Sequence, residues 1–205
     1  MSTPRRATRR RTTKETDISL RLVIDGKGKT SVNTGIPFLD HMLTLMGTHG
    51  LLDLQIKAKG DLEIDVHHTN EDIGIVLGEA LLEAIDGGRG IRRYGWAYVP
   101  MDEALARVAL DLSGRAKLVI RDHRTAAKRK LVGSGTAYQW ADAEHWLESF
   151  VRAGKITMHV DIFSGDEFHH TCEAVFKALG RALRQALERD ARLGGAVPSS
   201  KGRLG

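Results

Sequence analysis

The sequence predicts an α+β fold of two similar halves, each a β-sheet with helices packed on one face. Three observations predict it. Short runs that alternate apolar and polar residues are interspersed with longer stretches of helical period. The order of these stretches over residues 14–90 recurs over residues 91–190. Matching motifs stand at matching places: Asp40-His41-Met42-Leu43 resembles Glu144-His145-Trp146-Leu147, and His67-His68-Thr69-Asn70-Glu71 resembles His169-His170-Thr171-Cys172-Glu173.

Residues 1–13 form a basic arm that holds Arg5, Arg6, Arg9, Arg10 and Arg11 and no acid, and the composition predicts disorder there. Ile18 to Ile24 alternates with the period of a half-buried strand, and Asp25-Gly26 turns the chain towards a second short strand near Thr30–Thr34. Pro37 opens a helix whose apolar side carries Phe38, Leu39, Met42, Leu43, Leu45 and Met46, and Gly47 and Gly50 are expected to end it. Leu52 to Lys57 alternates again, and Leu62, Ile64 and Val66 continue the pattern beyond Gly60-Asp61. A helix is expected from about Thr69 to Ile85, broken by Asp86-Gly87-Gly88-Arg89-Gly90.

In the second half, strands are expected around Tyr94–Val99, Ala104–Leu112 and Lys117–Arg121. A loop rich in Lys, Arg and Gly follows from about 122 to 135. A helix over 141–153, a strand over 155–163 and a long helix over 169–189 complete the half. Residues 191–205 form a Gly-rich tail that carries Pro198-Ser199-Ser200-Lys201-Gly202. The halves also agree in detail. His41 and His145 are each followed nine positions later by glycine, Gly50 and Gly154. Leu52, Leu54 and Ile56 match Ile156, Met158 and Val160, and Gly60-Asp61 matches Gly165-Asp166.

The net charge is +5, but five of the 31 basic residues lie in the arm, and the remaining 26 equal the 26 acids. The rest of the chain has no excess charge to steer it to nucleic acid. Cys172 is the only cysteine, which excludes an internal disulfide and fits a reducing compartment. The basic start has no apolar stretch behind it, and no segment reaches the roughly 18 apolar residues a membrane helix needs. A cytoplasmic protein is expected.

Six of the nine histidines fall in the repeated pattern: His41, His67, His68, His145, His169 and His170. Glu71 and Glu173 complete it, making eight candidate metal ligands, read as two sets of three imidazoles and one carboxylate. In each His-His-x-x-Glu motif the chain is expected to leave a strand and enter a helix. The second His and the Glu then stand at i and i+3 on one helical face, and the first His points another way. His41 and His145, 26 and 24 residues upstream of the His pairs, are expected to complete the shells. One His-His pair is ordinarily a polar surface feature; its repetition with an upstream His points to metal. Imidazole with carboxylate suits Mn, Fe, Co, Ni or Zn, and four protein ligands leave positions open on an octahedral ion. His49 follows His41 by eight residues and is a candidate substrate contact; His123 and His159 read as structural or solvated.

These residues resemble the imidazoleglycerol-phosphate dehydratases. The resemblance is carried by Phe38-Leu39-Asp40-His41-Met42-Leu43, His67–Asp72, Gly165–Glu173 with Phe176-Lys177-Ala178, and the Pro198–Gly202 tail. Thr13–Thr16, Pro100-Met101-Asp102-Glu103 and Asp111-Leu112-Ser113-Gly114-Arg115 fit the same family, so the match spans about residues 7–205. It implies duplicated halves like ribosomal S5 domain 2, trimers assembled into a 24-subunit shell, active sites between subunits, and two Mn²⁺ per active site. It also implies metal ligation by the eight His and Glu residues, an acid/base role for Glu15 on a mobile arm, and phosphate contacts from Arg93, Arg115, Ser200 and Lys201, with Ser199 a further substrate contact. Leu45 stands where some members carry Gln, Ala116 where Pro is common, Glu167-Phe168 where the family varies, and residues 122–140 align poorly. None of these departures removes a ligand.

The reaction implied is dehydration of D-erythro-imidazoleglycerol phosphate to imidazole-acetol phosphate in histidine biosynthesis. The carbon-2 proton is not acidic in the ground state. Ionisation of the ring to a metal-bound imidazolate would push out the carbon-3 hydroxyl and make that proton acidic, for Glu15 to take. Two other functions fit parts of the residue pattern. A binuclear metallohydrolase of phosphate esters would recruit more carboxylates than two. An RNA-binding module would use the Arg-rich arm, in which case deleting residues 1–11 would abolish the function; a dehydratase is expected to survive that deletion.

Overall fold

The computed structural model describes residues 4–125 and 138–205. The first half runs β1 (Arg6–Thr12), β2 (Thr16–Val23), β3 (Thr30–Asn33), α1 (Pro37–Gly50), β4 (Asp53–Gly60) and α2 (His67–Ala84). The second runs β5 (Tyr94–Met101), β6 (Ala104–Asp111), β7 (Lys117–Asp122), α3 (Trp140–Gly154), β8 (Thr157–Ser164) and α4 (Phe168–Leu187). The strand orders are β1-β2-β4-β3 and β5-β6-β8-β7. In both sheets the first three strands in spatial order are antiparallel and the last pair, joined through a helix, is parallel. The duplicated α+β architecture expected from the motifs is present, and the two halves agree with each other strand for strand.

Alternation makes each sheet one-sided. Ile18, Leu20 and Leu22 of β2 and Ala104, Ala106, Val108 and Leu110 of β6 are buried, while their neighbours along the strand face outward. α2 covers β1 and β2, and α4 covers β5 and β6. The helical faces then meet crosswise, α2 on α3 and α1 on α4, so that helices of both halves form one layer between two sheets. The buried apolar residues make a single continuous core. Glycines let the helices approach. A Cβ at Gly78 of α2 would lie 2.6 Å from the Phe150 carbonyl oxygen and 2.7 Å from the Gly154 nitrogen, both on α3.

The basic arm is a correction. Arg6–Thr12 is the edge strand β1, paired residue by residue with β2, and Ala7 is buried. The acids that its composition lacks come from elsewhere in the chain. Arg5 pairs with Asp25 at 2.6 Å, Arg9 with Glu83 at 2.6 Å, Arg10 with Asp17 at 3.3 Å and Arg11 with Asp72 at 2.7 Å. Four of the arm's five arginines thus have an acidic partner.

Three smaller expectations also change. Leu62 to Val66 is a turn, not a strand, with Ile64 exposed and its N–H donating to the Asp61 carbonyl at 2.9 Å. Gly47 lies inside α1, and Leu51 takes the left-handed capping conformation at φ 53°. Both His pairs lie within the first helical turn, not across a strand end. Most of the 122–135 loop lies outside the described residues. No helix among the described residues is long and apolar enough to cross a membrane.

Candidate metal centres and anion pocket

Placing both histidines in the helix changes which one faces the glutamate. The first His and the Glu stand at i and i+4, on one helical face. His169 Nε2 meets Glu173 Oε1 at 3.0 Å, and His41 Nε2 from α1 reaches the same oxygen at 2.8 Å. In the other half His67 and Glu71 of α2 face His145 of α3; the His67 and His145 rings stack with centroids 4.3 Å apart. His41, His169 and Glu173 form one group and His67, Glu71 and His145 the other, with donor atoms of each within 4.8 Å of one another. Each upstream histidine thus joins the opposite half's motif, because α1 packs on α4 and α3 on α2.

Each group holds two imidazoles and one carboxylate, where the spacing suggested three and one. His68 and His170, the second members of the pairs, are turned to other carboxylates. His68 Nδ1 lies 3.0 Å from Asp61 Oδ2, and its Nε2 lies 3.9 Å from Glu15 Oε1. His170 Nδ1 lies 2.8 Å from Glu103 Oε2, with Glu167 at 3.2 Å and Asp102 at 3.6 Å from Nε2. The Asp61 hydrogen bond raises the His68 imidazole above its usual pKa, and Glu103 does the same for His170. In return, the hydrogen bond from His170 holds Glu103 at about 2.

Glu173 is 9% exposed. Burial pushes its carboxyl up, but hydrogen bonds from Lys177 at 2.5 Å, His41 and His169 outweigh that and bring it to about 2. Glu71 accepts from Arg152 at 2.8 Å and has His145 at 4.0 Å. Glu15 sits in the β1–β2 hairpin turn, where its N–H donates to Thr13 Oγ1 and its carbonyl accepts from the Asp61 N–H. These bonds hold its backbone in the turn, and its side chain is half exposed. His49 is partly buried on α1; burial, then the charges of Lys177 and Arg181, lower its pKa. His123 Nε2 donates to Asp161 Oδ1 at 2.7 Å, and His159 lies 3.3 Å from Arg121, so both stand away from the two groups.

The anion candidates converge elsewhere. A cavity of about 360 Å³ lies between the start of β5, the β6–β7 loop and the tail, lined by Arg93, Arg115, Ser199, Ser200 and Lys201 together with Arg203. Arg93 holds φ 73°, a conformation that costs a non-glycine residue about 1 kcal/mol or more. Its guanidinium grips Asp111 through two hydrogen bonds of 2.6 and 3.0 Å and donates to the Pro198 carbonyl at 2.8 Å, which fastens the tail to the sheet.

Sequence reasoning missed Asp61, Glu103 and Lys177 as partners of the histidines and of Glu173, and Arg203 in the cavity. Lys177 stands four residues after Glu173 and was open to helical spacing; Asp61 and Glu103 reach their histidines only through the fold.

The sequence profile of imidazoleglycerol-phosphate dehydratase matches residues 34–183. The imidazoleglycerol-phosphate dehydratases of Herminiimonas arsenicoxydans and Janthinobacterium sp. (strain Marseille) are each 50% identical to the chain, and each alignment covers 100% of both sequences. The crystal structure of the Staphylococcus aureus dehydratase superposes with a TM-score of 0.77 at 37% identity, covering 90% of this chain and 99% of that one. That of the Pyrococcus furiosus protein gives 0.79 at 35% identity, covering 96% and 100%. With a profile spanning most of its length and relatives half identical over all of it, the chain belongs to the imidazoleglycerol-phosphate dehydratase family, hydro-lyases of histidine biosynthesis.

Proposed function

We propose that the chain is a cytoplasmic enzyme that dehydrates D-erythro-imidazoleglycerol phosphate to imidazole-acetol phosphate with two Mn²⁺ per active site, inside a large homo-oligomer of 24 copies. The observation that carries this reading is the pair of donor groups, each two imidazoles and a carboxylate, at equivalent places in the two halves. The donor set fits a borderline divalent cation, and the clustering within 4.8 Å fits one ion per group. His41, His169 and Glu173 would hold one ion, and His67, Glu71 and His145 the other.

Three donors per group leave room for substrate and for a further protein donor. His68 and His170 face away from the groups of their own chain, and as donors they would serve the groups of a neighbouring copy; this supports self-association. Manganese, when bound, supplies Lewis acidity to the nitrogens of the substrate's imidazole ring and so favours loss of the ring proton.

The chain's own residues do the rest. Arg93, Arg115, Ser199, Ser200 and Lys201 hold the phosphate, with Arg93 also bracing the tail, and this remote grip orients the reacting carbons. His49 borders the α1/α4 group as a substrate contact. Glu15, beside His68, takes the proton from carbon 2 once the hydroxyl on carbon 3 has departed, the two together amounting to one water. The enol left behind gains a proton on carbon 3 and loses its hydroxyl proton, giving the ketone.

The experiment is to strip the chain of metal, add substrate, and follow imidazole-acetol phosphate with and without Mn²⁺. Product that depends on Mn²⁺, at two ions per chain, supports the proposal. Product formed equally in the presence of chelator, or none in the presence of Mn²⁺, overturns it. Glu15→Gln should lower kcat at least about 100-fold with manganese still bound; turnover within a few-fold of the parent would remove Glu15 from its role.

A further inference from the structure

The cavity between the β6–β7 loop and the tail contains more positive charge than the five residues assigned to it. Arg203 lines it beside Arg115 and Lys201. The main chain around Arg203 is held on both sides. Gly202 N donates to the Ser199 carbonyl at 3.0 Å, and Gly205 N donates to the Ser113 carbonyl at 3.0 Å. Gly114 permits that second contact: its φ is 76°, and a Cβ there would lie 2.5 Å from Gly205 N. Residue 203 is thus delivered to the rim of the cavity by backbone bonds that leave its side chain unused.

The charges around the cavity are not equivalent. Arg93 is neutralised, because both oxygens of Asp111 are committed to its fork. The side chains of Arg115, Lys201 and Arg203, by contrast, make no hydrogen bond or ion pair with any described residue. Three unneutralised cations around one small cavity repel one another until an anion enters. Two guanidinium forks and an ammonium, with the serine hydroxyls of the tail, match a tetrahedral oxyanion of charge two better than a monoanion.

We infer that Arg203 is a third free cation of this pocket and holds the substrate's phosphate directly. The inference rests on the reading of this cavity as the phosphate site and deepens it by one residue. Arg203 is exposed and unpartnered, so its removal does not put folding at stake.

The test compares Arg203→Ala, Arg203→Lys and Arg115→Ala in the full-length, manganese-loaded protein. Inorganic phosphate is the probe, measured by calorimetry and as a competitive inhibitor, alongside substrate kinetics. Arg203→Ala is expected to weaken phosphate binding and raise KM about tenfold, the cost of one charge-assisted contact, and to raise KM more than it lowers kcat. Arg203→Lys is expected to recover part of the loss, as a point charge without the fork. If Arg115→Ala weakens phosphate binding and Arg203→Ala does not, Arg203 has no such role and the pocket reading stands. If neither substitution moves phosphate binding, the cavity is not the phosphate site and both fall together.

Discussion

Glu173 shows how much a single carboxylate can be asked to do. It is almost buried, which opposes its charge, yet it meets Lys177, His41 and His169 within 3.0 Å and stays ionised to about pH 2 instead of the usual 4.5. Because the folded pKa lies below the unfolded one, the stability this group adds is fully present above 4.5. It is lost as pH falls from 4.5 towards 2. In the metal-free chain, urea midpoints should therefore decline over that window, and Glu173→Gln should flatten the decline; an unchanged slope would show that the carboxyl is not depressed. The same substitution should cost one bound manganese per chain, read by elemental analysis, while Glu71→Gln removes the other. Losing a charged donor from either group is expected to lower activity by at least about 100-fold.

At the scale of elements, the edge strand β1 and the crossing of α2 with α3 bear on the site most directly. β1 buries Ala7, carries the ion pairs of Arg9, Arg10 and Arg11, and leads into the turn that holds Glu15. Deleting residues 1–11 should accordingly lower Tm by on the order of 5–10 °C and reduce turnover through Glu15, and a truncated chain with parental Tm would contradict the strand. The α2–α3 crossing depends on Gly78, whose missing Cβ admits the backbone of Phe150 and Gly154. Gly78→Ala should destabilise the fold by about 2 kcal/mol, by chemical denaturation, because backbone atoms have nowhere to move. It should also weaken manganese binding at His67, Glu71 and His145 more than at His41, His169 and Glu173, since it separates only the first pair of helices.

At the scale of the whole molecule, the two halves share one core and cannot be two domains. Phe176 of α4 is fully buried in that core, and Phe38 of α1 crosses between the halves to stack on Phe168 of α4 with ring centroids 5.1 Å apart. Unfolding should be a single transition, with circular dichroism and tryptophan fluorescence coinciding. Phe176→Ala should cost about 3–5 kcal/mol and shift that one transition as a unit; two separated transitions would show that the halves fold independently. The crosswise packing also explains the two donor groups. Each is built from one helix of either half, so neither half alone could assemble one.

Reading the chain from its residues succeeded where the information is local. Alternation in β2, β4, β5 and β6 and the helical period of α1, α2, α3 and α4 are properties of neighbouring residues, and so is the repetition of His-His-x-x-Glu. The misreadings at Arg6–Thr12, at Leu62–Val66 and at the His pairs have a common cause. The arm's acids lie up to 74 residues away, at Glu83, and a short alternating run without a strand to pair with becomes a turn. The sequence by itself therefore determined the element types, the duplication and the chemical kind of donor, because each rests on spacing along a few turns or strands. The tertiary structure alone decided that His41 joins Glu173, that His145 joins Glu71, and that His68 and His170 turn elsewhere, because which helix lies beside which is set by long-range packing that no local period records.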